Sequence, residues 1–264
     1  MAREAVVAAG RRPIVLGHRG ASAEAPENTL AAFRLALEQG ADGVELDVWR
    51  CRSGEVVVHH DVDTARVAGV AHRLGSTRWD ELRRLDVGSW KGQRFAGERI
   101  PLLAEVLEAL PSAVVNVELK STGWPDLSLA RAVAGILRDA GAEERCLVSS
   151  FDYVLLAAFR LAARAVGTGI LFAARPRWRW RAEAGLRAVF PRAVHPQAEL
   201  ATEAQVARWR GRGLEVNVWT VDAADEVSRL AALGVSTLIT NRPAVARAAL
   251  DRPAAIPART IRPT

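Results

Sequence analysis

Short β-branched runs alternate along the chain with longer stretches whose apolar residues recur at helical spacing. This rhythm builds repeated strand–helix units around a parallel sheet. Ile14–His18 predicts the first strand. Residues 27–39 follow as a helix, with Leu30, Phe33 and Leu37 on one face and Gly40 closing it. Residues 44–49 predict the second strand, and residues 56–60 a short extra strand paired to it across the Ser53-Gly54 turn. An irregular stretch of about 61–99 interrupts the alternation. Regularity returns with a helix at 102–110 and a strand at 114–120, then helix 126–140 and strand 146–151, and helix 153–164 and strand 166–172. A weak helix near 182–189, strand 193–195, helix 202–212, strand 215–221, helix 223–233, strand 237–240 and helix 244–250 complete the series.

Eight main strands, each followed by a helix or its remnant, predict a (β/α)8 TIM barrel with a small insertion after the second strand. The expectation is one domain over residues 1–264, ending in a frayed tail of about 251–264. A doubly wound open sheet is disfavoured because no glycine-rich dinucleotide loop follows the first strand.

The strands carry polar residues where a buried parallel strand should be apolar. They end in His18-Arg19, Glu45-Leu46-Asp47, His60-Asp61 and Glu118-Leu119-Lys120. In a barrel these ends open onto the active-site face. Side chains two apart share a side, so Glu45 points with Asp47 and Glu118 with Lys120. Three neighbouring carboxylates repel strongly unless something cationic compensates. Arg19 and Lys120 supply part of that charge. An all-oxygen set of Glu45, Asp47 and Glu118 suits a hard divalent cation, Mg2+ or Ca2+, better than zinc. His18 and His60 are the natural proton carriers at neutral pH. His59 must face away from His60, His72 has no chemical company, and His195 is kept as a candidate pocket-lining residue.

Composition narrows the class without choosing the chemistry. Half the residues are hydrophobic and a quarter charged, as in ordinary globular proteins. The net charge is +6, but only Lys91 and Lys120 among the 36 basic residues are lysines. Arginine scattered over helical patterns reads as compositional bias, not as a nucleic-acid surface. No apolar run is long enough to span a bilayer, and Met1 to Gly10 does not read as a secretory signal, so a cytoplasmic protein is expected. Cys51 and Cys146 have no metal-binding spacing and are expected as buried thiols.

Read together, these segments resemble the glycerophosphodiester phosphodiesterase family. The likeness runs through Gly17-His18-Arg19-Gly20, Pro26-Glu27-Asn28-Thr29, Glu45-Leu46-Asp47, His60-Asp61 and residues 95–101. It continues through Glu118-Leu119-Lys120, Ser150-Phe151-Asp152, Val218-Trp219-Thr220-Val221 and Thr240-Asn241-Arg242-Pro243. It covers roughly residues 14–250.

The resemblance implies a TIM barrel with metal on Glu45, Asp47 and Glu118, and acid/base histidines at His18 and His60. It places phosphate contacts on Arg19 and Lys120 and an aromatic wall for glycerol at Trp219, with Glu27 and Asn28 as positioning residues. The implied reaction is metal-dependent hydrolysis of a small glycerol phosphodiester to glycerol 3-phosphate and an alcohol, through a cyclic phosphate. A lysophospholipase D acting on lysolipids and a catalytically silent phosphate-binding barrel stay open as alternatives. The basic, tryptophan-bearing stretch Arg175–Arg181 is a candidate for transient membrane-surface contact.

Overall fold

The computed structural model describes residues 12–174 and 189–252. Its strands are β1 Ile14–His18, β2 Gly43–Arg50, β3 Val56–Val58, β4 Val114–Leu119, β5 Cys146–Ser150, β6 Gly167–Phe172, β7 Ala193–Pro196, β8 Glu215–Val218 and β9 Thr237–Thr240. All but β3 pair in parallel around one ring, which closes where β9 lies beside β1. This is the (β/α)8 barrel that the alternation predicts. β3 pairs antiparallel with β2, setting Val58 opposite Val48, as the turn at Ser53-Gly54 requires. The expected weak helix near 182–189 except for Val189, the stretch Arg175–Arg181 and the tail beyond residue 252 lie outside the described residues.

The helices between strands are α1 Leu30–Glu38, α4 Leu103–Ala109, α5 Leu127–Asp139, α6 Tyr153–Ala162, α7 Glu203–Arg210, α8 Ala224–Ala232 and α9 Pro243–Asp251. Two short ones, α2 Ala65–Ala68 and α3 Trp79–Leu82, lie between β3 and α4. Outward strand residues such as Val44, Leu46, Val115 and Val148 are fully buried against helix residues such as Phe33 and Leu137. Burying such side chains contributes about 1.5–3 kcal/mol each and supplies the main drive to fold. No helix among the described residues is long and apolar enough to cross a membrane.

Several element ends differ from the sequence expectation: β3 stops at Val58 and β8 at Val218, which leaves His60 and Trp219 in the loops just past their strands. Two further details depart from it. Helix α1 starts at Leu30, three residues late, because the Thr29 hydroxyl caps it by accepting from the Ala32 N–H. Residues 26–28 are thereby left as a loop that bends over the barrel mouth, with Asn28 in the left-handed region at φ 58°. The irregular stretch is also ordered: Cys51, Val57, Val67, Leu74, Leu82, Val87 and Ile100 form a second small core beside the barrel.

The middle of the barrel interior is polar. The Asn116 side-chain amide donates to the Ser149 hydroxyl, and the Asn217 amide donates to His195 Nε2. Burial pushes the His195 imidazole down to about 3, so it stays neutral. Gly169 makes room for that ring, because a methyl there would collide with it.

Gly43 on β2 lies opposite Val114 on β4. A methyl on Gly43 would run into the Val114 carbonyl. Gly43→Ala should therefore cost about 3 kcal/mol, read as a drop in the urea midpoint. An unchanged midpoint would refute the close approach.

Candidate active site

The acidic residues are gathered by register. His18 lies opposite Glu45 on β1 and β2, and Asp47 lies opposite Glu118 on β2 and β4. One ligand oxygen from each of Glu45, Asp47 and Glu118 lies within 4.8 Å of the others. All three residues are buried, at 4%, 1% and 8% exposure.

Such a cluster needs compensating charge, and the neighbours provide it unevenly. Asp47 is the best served. Its carboxylate accepts from Asn28 Nδ2 at 2.9 Å and faces Arg19 Nε and Lys120 Nζ, each at 3.3 Å. Burial raises its pKa, but Lys120 and Arg19 outweigh burial and hold the carboxyl well below the usual range. Glu118 is held by Lys120 Nζ at 2.9 Å, yet burial keeps it above its ordinary value. Among the described residues Glu45 accepts only the Arg19 backbone N–H, at 3.1 Å. Burial first, then repulsion from Asp47 and Glu118, raises it well above an ordinary glutamate. Two carboxylates in this site are thus poorly stabilised as anions by the protein alone. The donor set therefore fits a hard divalent cation, which would supply the missing positive charge.

Two imidazoles flank the acids, each held by its Nδ1. His18 Nδ1 donates to Asn241 Oδ1 at 2.8 Å, while Asn241 Nδ2 donates to Asp222 Oδ2 at 2.7 Å. His60 Nδ1 donates to Asp61 Oδ1 at 2.8 Å, and Arg66 Nε donates to Asp61 Oδ2 at 2.6 Å. Arg66 also grips Glu27, which in turn binds Arg19. In both histidines this leaves Nε2 for chemistry. The His18 Nε2 lies 3.9 Å from Glu45 Oε2. Burial, with Arg19 nearby, pushes His18 down to about 4, so it is neutral at pH 7. Burial likewise lowers His60.

The cluster opens into a hollow of about 100 Å3 walled by Phe151, Leu171 and Trp219. The Trp219 ring stands edge-on to Phe151 at 5.7 Å, and its Nε1 donates to the His195 carbonyl. A wider cavity of about 370 Å3 at the other end of the strands, between Asp42, Arg192 and Glu215, holds no comparable cluster. His18, Arg19, Glu45, Asp47, His60, Glu118, Lys120 and Trp219, the residues singled out in the sequence, thus meet in one place. His59 turns away as expected and donates from Nε2 to the Asp63 carbonyl. His195 lies beneath the hollow, not in its wall.

Residues 18–245 match the sequence model of the Glycerophosphoryl diester phosphodiesterase family. The chain belongs to this family. It is a phosphoric diester hydrolase by that membership. A glycerophosphodiester phosphodiesterase of Caldanaerobacter subterraneus is 32% identical, covering 88% of this chain and 95% of its own. The solved structure of an Oleispira antarctica phosphodiesterase, in complex with the product sn-glycerol-3-phosphate, superposes with a TM-score of 0.84. That structure is 29% identical and covers 91% of this chain and 98% of its own. A human lysophospholipase D is 38% identical over 111 residues, 40% of this chain and 35% of its own length.

The sequence singles out the two histidines and three acids that the structure brings together, but not what holds them. Asn241 lies within the segment Thr240-Asn241-Arg242-Pro243, yet nothing local signals its bond to His18. Arg66, Asn116 and Asp222 carried no local signal, because each acts on a residue distant in sequence.

Proposed function

We propose that this phosphodiesterase hydrolyses small glycerol phosphodiesters to glycerol 3-phosphate and the free alcohol, with Mg2+ or Ca2+ held by Glu45, Asp47 and Glu118. The observation that carries this reading is the junction of three buried carboxylates with two imidazoles whose Nε2 atoms are both left for proton transfer. A bound cation would neutralise phosphate oxygens and so ease attack by an anionic or hydroxyl nucleophile. Arg19 and Lys120 add fixed positive charge beside the same oxygens.

In this scheme neutral His18 takes the proton of the glycerol 2-hydroxyl through Nε2. That oxygen attacks phosphorus within the same molecule, which proximity favours. The bond from phosphorus to the departing alcohol breaks, and His60 gives that oxygen a proton. Water then opens the cyclic phosphate with the two roles exchanged. Trp219 and Phe151 offer the glycerol carbons an apolar wall. A silent binding barrel would need no such pair of oriented imidazoles, which favours chemistry over mere capture.

EDTA should abolish turnover of glycerophosphocholine, and added Mg2+ or Ca2+ should restore it. Full activity in EDTA would remove the cation from the scheme. A second expectation concerns the support of His18. Asn241→Leu frees the ring to rotate and to take the wrong tautomer, so kcat should fall about tenfold or more with KM little changed. Equal losses in kcat and in thermal stability of the metal-loaded protein would point to a purely structural role.

The human relative favours testing a second substrate class, lysophospholipids, in which the glycerol keeps one acyl chain. Comparing kcat/KM for glycerophosphocholine and lysophosphatidylcholine separates the two. Contact of Arg175–Arg181 with a lipid surface belongs to that second reading.

A further inference from the structure

Seven large apolar side chains stand exposed among the described residues, and five of them lie at the mouth end of the barrel: Val70, Trp90, Trp124, Leu127 and Val154. The other two, Leu161 and Phe190, are at the opposite end, at the finish of α6 and just before β7. Trp124 is the most exposed, at 88%, and tips the loop between β4 and α5. Leu127 opens α5 and Val154 sits in the first turn of the neighbouring α6. Between them runs a groove of about 300 Å3, walled by Gly123, Pro125 and Val154, that leads inward to Lys120 and Glu118.

Across the mouth, Trp90 stands between two cations, with the Arg66 guanidinium 5.9 Å and Lys91 Nζ 5.4 Å from its ring. The segment 61–99 that carries them holds eight lysines and arginines against six acids. Arg73 is exposed on the same segment, and Arg50 of the barrel neutralises Asp126 beside Leu127.

Exposed apolar side chains gathered at one end of a protein mark a surface that something covers. Tryptophans beside basic residues suit the boundary of a bilayer, where rings settle among headgroups and cations meet lipid phosphates. We propose that the mouth end of the barrel docks on an anionic phospholipid surface, with Trp124, Leu127 and Val154 entering the interface and Arg73 and Lys91 supplying the attraction. This goes beyond the hydrolase reading, and the binding is measured without turnover, so either can fail alone.

The test is co-sedimentation of the full chain with vesicles of phosphatidylcholine alone and of phosphatidylcholine mixed with phosphatidylglycerol. The mixed vesicles should carry the protein down and release it at high salt. Trp124→Ala and Val154→Asp, both at exposed positions, should each lower the partition roughly tenfold. Leu161→Ala at the far end should leave it unchanged. Three results would overturn the proposal: no sedimentation with the mixed vesicles, an equal loss from Leu161→Ala, or binding that survives both mouth variants. Survival in those variants with loss on substituting Arg175–Arg181 would place the contact on that stretch instead.

Discussion

His60→Ala should lower turnover of glycerophosphocholine by at least about a hundredfold at saturating Mg2+ or Ca2+, and His18→Ala should do the same. The Nδ1 bonds occupy one nitrogen of each ring and leave the other for the proposed reaction. Neither imidazole belongs to the acidic cluster, so cation binding measured calorimetrically should survive both changes. Removing the two together should cost little more than removing one, since the proposed scheme joins them in a single proton cycle. A near-normal rate in either variant would take that residue out of the scheme.

The second large effect separates two carboxylates that look alike in sequence. Glu45 is raised by burial and by its acidic neighbours, so its negative charge is a burden on the metal-free fold that grows as pH rises above the ordinary carboxylate range. Glu45→Gln should therefore keep or raise the Tm of the metal-free protein, while weakening cation affinity by about a hundredfold or more. Asp47 is the reverse case, held as an anion by Lys120 and Arg19 against the penalty of burial. Asp47→Asn leaves those two cations short of a partner in a buried setting. The metal-free Tm should fall, by an amount equivalent to roughly 3 kcal/mol or more, and cation binding should be lost with it. Thermal melts with and without added Mg2+ or Ca2+ read both quantities at once. If the two variants behaved identically, the uneven charge balance drawn around the cluster would be wrong.

Much of this was legible before any coordinates. The alternation of short β-branched runs with helical periodicity sufficed for the barrel, because each buried strand and each amphipathic helix carries its own local pattern. Glu45-Leu46-Asp47 and Glu118-Leu119-Lys120 announced themselves as charges on strands that should have been apolar. What stayed hidden depended on non-local geometry. Asp222 reaches His18 only through Asn241, and Arg66, bound to nearby Asp61, reaches Glu27 across 39 positions of chain. The boundary of α1 was missed because Thr29, not Pro26 or Glu27, makes the cap. The order within residues 61–99 escaped notice because its apolar positions serve a small separate core with no steady period.

That separate core divides the proposed catalytic residues between two bodies of unequal size. His18 and the three acids of the cluster ride on the closed ring of strands, whereas His60 and its partner Asp61 begin the annex packed around Leu74 and Leu82. Loosening of the annex alone would carry one imidazole out of alignment while the ring stayed intact. Heat would then silence the enzyme before it melts the barrel, and annexes exchanged between relatives would retune the proton donor without rebuilding the scaffold.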